Sequence, residues 1–256
     1  MSAGNTLMRI LKTMAKYALI FYSHSDYSDA WTPMFEQTNR YFPDHKKYLF
    51  SDQNTEELEQ ENWHLIKYND QKGYQNRVIH CLDQVGERIV MFHHEDMFLY
   101  AKPHYSQLDD VAAAIENGNV DIVKLICASY GPIKFENITA TALPYIFENP
   151  PGLKFAIQPS LCNKNKLRTI YDKTGGDSIW KFEEYSSHIC DYFNIKTGMT
   201  FFETDQKRGQ YHWDSSIYPY FATAIVKGKW NFTDYEDTLR PILERNNVDY
   251  LNRGTC

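Results

Sequence analysis

No CxxC pair, no run of basic residues and no long apolar segment occurs in this 256-residue chain, and each absence removes a class of function. The five cysteines, Cys81, Cys127, Cys162, Cys190 and Cys256, are odd in number and widely spaced. That usage fits reduced thiols in a cytoplasmic setting and offers no zinc-ligand spacing. A net charge of −6 without a local basic stripe argues against a nucleic-acid partner, since phosphate backbones demand dense positive charge. The stretch from Leu7 to Met14 is broken by Arg9 and Lys12, so neither a signal-peptide core nor a membrane span is expected. Two sequons, at Asn137 and Asn231, have no other sign of secretion beside them. Repeats and low-complexity linkers are missing too. Residues 1–15 read as a frayed lead-in and residues 16–256 as one domain.

What the chain holds in quantity is aromatic residues, 15% of the total, with 19 Tyr among them. Tyrosine combines an apolar ring with a polar tip, which suits sugar faces edged by hydroxyls. Most of these rings are nevertheless expected to fill the core.

Apolar runs and amphipathic segments alternate from Lys16 to about Cys127. Tyr17–Tyr22, Lys47–Asp52, Trp63–Tyr68, Glu87–Phe92 and Asp121–Cys127 read as strands, and the continuous runs among them as strands buried on both faces. Ala30–Tyr41, with Asp29 as its cap and Pro43 as its stop, reads as a helix, as do Tyr74–Val85 and Tyr105–Asn117. Acidic Thr55–Glu61 reads as a solvated loop or short helix. The alternation predicts an α/β fold, a Rossmann-type, mostly parallel sheet flanked by helices. The remainder is less regular. Lys154–Gln158 reads as a strand, Asn163–Asp172 and Ser178–Tyr192 as helices, Pro219–Val226 as a return to the sheet, and Thr233–Asn246 as a closing helix.

Ligands of open parallel sheets sit beyond the carboxyl ends of the strands. That rule selects Ser23-His24-Ser25-Asp26, Ser51-Asp52 and His93-His94-Glu95-Asp96, three polar clusters that each follow an apolar strand. The last is the most informative. An acidic pair set between apolar Ile89–Phe92 and Met97–Leu99 is costly unless compensated, and Mg²⁺ or Mn²⁺ is a common compensation. Such ions take one or two protein carboxylates and complete their shells with phosphates and water. The alternative is a turn-capping role, or ion pairs with Arg88 or Lys102. A dinucleotide enzyme is disfavoured because no GxGxxG follows the first strand, and no HExxH or GxSxG motif supports a hydrolase.

The segment Val90-Met-Phe-His-His-Glu-Asp-Met-Phe-Leu99, followed by Lys102-Pro103, resembles the variant Asp-x-Asp region of bacterial and large-DNA-virus glycosyltransferases of the GT-A fold. Phe155-Ala-Ile-Gln158-Pro-Ser-Leu161, with Leu167 and Ser178-Ile-Trp180-Lys-Phe182-Glu183, is similar to their acceptor region. Val226-Lys-Gly228-Lys-Trp230 is similar to a segment near the end of such chains. The resemblance spans about Lys16 to Trp230 and implies a GT-A-like fold, with a donor half over residues 16–127 and an acceptor half over 128–256. It implies Asp96 as a metal ligand, with His212 as a candidate third metal or diphosphate contact. Ser23, His24, Asp52, Arg77, His94 and Glu95 become donor contacts, and Lys227 or Lys229 would neutralise the leaving diphosphate. Here His94 stands where the family has the first acid of the motif, so it would face the ribose. For Arg77 a surface salt bridge with Asp83 or Glu87 is the competing reading.

On the acceptor side Trp180 is expected to stack on a sugar and Glu183 to act as general base, with Glu184 and Asp177 as rivals. Trp180 and Phe182 serve equally well as core anchors of a helix. The expected activity is transfer of a sugar from a nucleotide-diphosphate donor to a glycan hydroxyl, with inversion and with Mn²⁺ or Mg²⁺ as cofactor. A metal-dependent hydrolase and a non-catalytic carbohydrate-binding protein are the alternatives.

Overall fold

The computed structural model describes residues 17–55, 62–128, 143–150, 152–175, 179–208 and 212–256, with backbone alone for Ile179 and Trp180. The lead-in over residues 1–15, the sequon at Asn137, most of the acidic 55–61 stretch, Asp177 and the Trp180 side chain lie outside the described residues.

Four parallel strands organise residues 18–94, the outermost of them partly exposed. They are β1 (Ala18–Tyr22), β2 (Lys47–Ser51), β3 (Trp63–Lys67) and β4 (Ile89–His94). All five residues of β1 and of β2 are buried, as expected of strands covered on both faces. β1 sits between β2 and β4, and β3 lies outside β2. The register sets Tyr22 opposite both Phe50 and His94, and Ser51 opposite Lys67. Ser23, Asp52, Tyr68 and Glu95 therefore leave the sheet at one edge.

The sheet continues with β5 (Ile122–Lys124), β6 (Ile146–Glu148), β7 (Ser160–Asn163) and β8 (Thr197–Thr200), giving the order β3-β2-β1-β4-β7-β5-β8-β6. β7 runs antiparallel to both β4 and β5, β8 runs parallel to β5, and β6 runs antiparallel to β8. Six of the eight strands thus share one direction. This is the expected α/β class, a Rossmann-like and mostly parallel sheet.

Helices cover both faces: α1 (Trp31–Tyr41), α2 (Tyr74–Leu82), α3 (Tyr105–Glu116), α4 (Lys164–Lys173), α5 (Ile179–Tyr192), α6 (Phe232–Arg245) and the short α7 (Tyr250–Arg253). Asn163 caps α4 by accepting from the N–H groups of Asn165 and Lys166, and Asn231 caps α6 by accepting from the N–H of Asp234. No helix among the described residues is long and apolar enough to cross a membrane. All five cysteines are free.

Three expectations need correction. Asp29 does not cap the first helix. A 3-10 turn over Ser25–Ala30 precedes α1, with His24 accepting from the N–H of Asp26, while Asp29 pairs with Arg253. Lys154–Gln158 is not a strand; the neighbouring Ser160–Asn163 enters the sheet instead, and the 154–158 stretch forms a loop. Pro219–Val226 does not return to the main sheet. Tyr220 makes one isolated bridge to Leu99, and two short strands, Ile225–Val226 and Lys229–Trp230, pair with each other in a separate hairpin. Upstream, β9 (Lys207–Arg208) and β10 (His212–Trp213) form another small antiparallel pair, so the hairpin strands are β11 (Ile225–Val226) and β12 (Lys229–Trp230).

Candidate active site

The two histidines that end β4 differ in role because side chains alternate along a strand. His93 points into the core, 1% exposed, and stacks on Phe21 at 4.4 Å. Its Nδ1 lies 3.1 Å from the carbonyl of Ile20 and its Nε2 lies 2.7 Å from the Tyr218 hydroxyl. Burial pushes its pKa down to about 3, so it is a neutral structural group. His94 lies 2.9 Å from the Tyr74 hydroxyl through Nε2, and Tyr74 in turn meets the Tyr171 hydroxyl at 3.1 Å. Burial lowers His94 to about 4, which keeps it uncharged at neutral pH.

Glu95 and Asp96 follow at once. Glu95 is 6% exposed, and burial, then the Asp96 charge, holds its carboxyl well above the usual range. Burial raises Asp96 to about 6, opposed by the N–H of Ile225, which donates to Oδ2 at 3.3 Å. The ion pairs considered with Arg88 and Lys102 do not form: Arg88 bonds the carbonyl of Glu116, and Lys102 lies over the Tyr105 ring. Two adjoining carboxylates at a strand end, Glu95 buried and Asp96 half-buried, without an ion pair among the described residues, carry a desolvation and repulsion cost that a cation would offset.

The cation whose charge reaches both acids is Arg253, which the sequence reading missed. Its guanidinium grips both oxygens of Asp29, donates to the carbonyls of Asp26 (3.0 Å) and Gly228 (3.3 Å), and lies over the Tyr27 and Trp230 rings. It ties the 3-10 turn after β1 to the β11–β12 hairpin. No local pattern marks an arginine whose partner is 224 residues away.

At the β1 and β2 ends, Asp52 accepts from the N–H of Ser25 at 2.8 Å and from its hydroxyl at 2.7 Å. Burial works to raise the Asp52 carboxyl, but the Ser25 bonds and the nearby His24 outweigh it and hold the group below its ordinary value. His24 Nε2 lies 3.8 Å from Asp52 and 3.4 Å from Asp70. Ser23 is buried, accepting from Trp31 Nε1 at 2.6 Å, while its carbonyl takes the Tyr68 hydroxyl at 2.7 Å. Arg77 pairs with Asp70 at 2.9 Å and stands 5.4 Å from the Tyr68 ring centre. Its alternative partners are taken, Asp83 by Arg168 and Glu87 by Lys46. Tyr22 and Tyr68 stack at 5.3 Å beside it. Tyr68, Asn69, Lys72, Asn76, Arg77 and His80 line an open cavity of about 450 Å³ there.

Glu183, early in α5, is half-buried and accepts the N–H of Ile157 at 2.6 Å. Burial raises its pKa, opposed by that bond and by Lys124. Its charge reaches Tyr74 and Tyr171, the tyrosines linked to His94. Glu184 faces solvent. Gln158 accepts the Tyr220 hydroxyl at 2.7 Å.

Lys227 and Gly228 form the exposed hairpin turn, with Lys229 directly after it, and Lys227 (φ +50°) and Gly228 (φ +76°) both adopt the left-handed conformation that a two-residue hairpin needs. The same hairpin supplies the Ile225 N–H to Asp96, so both lysines stand on an element that touches the acid pair. His212 stands in the small β9–β10 pair. Its Nε2 is buried without a hydrogen-bond partner, and its charged neighbours are Asp234, Asp214 and Arg208. Among the described residues no three His, Cys, Asp or Glu side chains gather as a metal site. The donor set that remains, two carboxylates, fits a hard cation that draws its other ligands from phosphate and water.

No protein-family model and no curated protein matches the chain. Solved structures resemble it in shape. S. aureus TarS 1–349 matches over 93% of this chain and 68% of its own, with a TM-score of 0.49 and 14% identity. The glycosyltransferase GlyE of Streptococcus pneumoniae matches over 75% of this chain and 55% of its own, with a TM-score of 0.39 and 14% identity. The 2-C-methyl-D-erythritol 4-phosphate cytidylyltransferase of Thermus thermophilus matches over 73% of this chain and 89% of its own, with a TM-score of 0.45 and 10% identity. At such identities and scores these likenesses assign no residue a role, and function rests on the chemistry of the site.

Proposed function

We propose that the chain is a cytoplasmic, metal-dependent glycosyltransferase that moves a sugar from a nucleotide-diphosphate donor to a carbohydrate hydroxyl with inversion. One observation carries this reading: the adjoining acids Glu95, buried, and Asp96, half-buried, stand at the carboxyl ends of the parallel strands without an ion pair among the described residues. Asp96 would hold Mn²⁺ or Mg²⁺, and such an ion supplies neutralisation of the charge that develops on a leaving diphosphate. Ser23, His24, Asp52 and Arg77 line the edge where the nucleoside would lie, and His94 would face its ribose. Arg253 joins Lys227 and Lys229 as a source of positive charge toward the diphosphate.

Glu183 is the base of choice. Its carboxylate takes the proton of the acceptor hydroxyl as that oxygen bonds to the anomeric carbon and the bond from that carbon to the diphosphate breaks. Trp180, at the start of the same helix, would stack on the acceptor. Glu184, exposed on α5, is a poorer base because nothing among the described residues holds its carboxylate toward the donor edge.

The test is a thermal-shift panel of UDP, GDP and their sugars with and without Mn²⁺. Stabilisation that needs nucleoside diphosphate and metal together is the expected result, with a rise of about 3 kcal/mol when ligand exceeds its Kd a hundredfold. Stabilisation by metal alone would favour a hydrolase, and stabilisation by glycan without metal a binding module; either outcome would overturn the proposal.

A further inference from the structure

A lysine stands inside the apolar run Ile122-Val-Lys-Leu-Ile-Cys127, and the proposed reaction does not use it. Lys124 is the last residue of β5, opposite Ser160 of β7 and Met199 of β8, and is 0% exposed. An ammonium ion in such a place carries a large desolvation cost unless the structure needs its charge. Its Nζ donates to the carbonyl of Leu153 at 2.7 Å. Four residues on, the N–H of Ile157 donates to Glu183 Oε1 at 2.6 Å. Between them the Lys154 N–H donates to the Ser187 hydroxyl at 3.1 Å, and the Lys154 side chain pairs with Asp191. The 153–157 loop is thus clamped between a buried cation on β5 and the polar side chains of α5.

A neutral side chain at position 124 would fill the same space and leave Glu183 in an apolar setting. The ionisable groups within electrostatic reach of Lys124 are Glu183 and Cys190 from α5 and Cys127, three residues beyond it in the chain. Burial pushes both thiols up to about 12, so at neutral pH Glu183 is the anion among them. From the other side, Lys124 is the cation that acts on Glu183, whose remaining named neighbours are the neutral hydroxyls of Tyr74 and Tyr171.

We propose that Lys124 is a positioning residue for Glu183: it anchors the loop that orients the carboxylate and supplies the buried positive charge that keeps it ionised. This role rests on the reading of Glu183 as general base, because a base must be held deprotonated to take a proton. Burial brings Lys124 down to about 8, so its charge, and the support it lends, is present at neutral pH and is lost as pH rises beyond that value.

The test follows the two groups directly in the full chain by carbon-13 NMR, with glutamate labelled at the carboxyl carbon and lysine at Cε. The Glu183 signal is identified by its disappearance in Glu183→Gln. In Lys124→Met the Glu183 midpoint is expected to rise by about one pH unit, while Lys124→Arg, which keeps the charge, leaves it near the wild-type value. An unmoved midpoint in a folded Lys124→Met overturns the proposal. Should that variant fail to fold, the reciprocal experiment decides: coupling runs both ways, so Glu183→Gln is expected to lower the Lys124 midpoint by about one pH unit. An unchanged Lys124 midpoint is again fatal. Neither readout requires turnover, so failure here is separable from failure of the transferase reading, which the metal and nucleotide panel tests by itself.

Discussion

Asp96→Asn is expected to abolish sugar transfer, by about a thousandfold or more, while making the unliganded protein more stable rather than less. The two halves of this expectation have one cause. In the folded chain burial raises the Asp96 carboxyl to about 6, against 3.8 for the free group. Between those values the native state holds the proton more tightly than the unfolded chain does. Stability therefore falls as pH rises from about 4 to about 6, and the ionised carboxylate at neutral pH costs on the order of 2–3 kcal/mol. Asparagine removes that charge and its repulsion of Glu95, and its side-chain oxygen still accepts the Ile225 N–H. Thermal melts across pH 4–8 would show the wild type losing stability through this window and the variant losing less. A purely structural Asp96 would give the reverse, a variant that melts earlier at neutral pH. The loss of transfer comes with loss of the manganese-dependent response to nucleoside diphosphate, since asparagine offers a neutral oxygen in place of an anionic ligand.

Glu183→Gln is the second large effect. The amide keeps an oxygen for the Ile157 N–H, so the 153–157 loop has reason to stay in place. It cannot accept the acceptor proton. Turnover should fall about 10²- to 10⁴-fold while the metal and nucleotide response survives, because the proposed donor contacts do not include this side chain. Glu184→Gln, on the exposed face of α5, should leave turnover within about twofold, as surface changes away from a site do. Steady-state kinetics of both variants beside the melt panel separates base from binding. A silent Glu183→Gln with an inactive Glu184→Gln would reassign the base.

The first half of the sheet is legible in the sequence for a physical reason. Strands buried on both faces have to be continuous apolar runs, and β1, β2 and β4 are close to such runs, so their polar ends stand out as candidates. The structure places those ends together because parallel register aligns Tyr22 with Phe50 and His94. Beyond residue 128 the signal fades. β6 and β8 are three and four residues long, and Thr-Gly-Met-Thr in β8 has no continuous apolar run. Phe155-Ala-Ile resembles a strand because Phe155 and Ile157 are apolar and buried, yet the loop it belongs to bonds α5 side chains, and the less apolar Ser160–Asn163 pairs with β4 and β5.

The site follows the same division. Residues within one strand end can be grouped from the sequence, whereas partnerships across the fold cannot. Arg253 with Asp29, His94 with Tyr74, and Lys124 with the loop that carries Ile157 are all set by packing. Lys124 has a visible clue, a charge inside an apolar run, that composition alone does not interpret. His212 is a further case: the sequence offers a lone histidine as a companion to the acid pair, and its charged neighbours in the structure are Asp214, Asp234 and Arg208.

The central claim is that the Asp96 carboxylate binds a divalent ion which also engages a diphosphate. Crystals soaked with MnCl₂ and UDP or GDP, with diffraction recorded at the manganese absorption edge, address it without reference to turnover. An anomalous peak about 2.0–2.2 Å from an Asp96 oxygen, bridged to nucleotide phosphate, is the expected result. Bound nucleotide with no peak at Asp96, its carboxylate still engaged only by the Ile225 N–H, would contradict it.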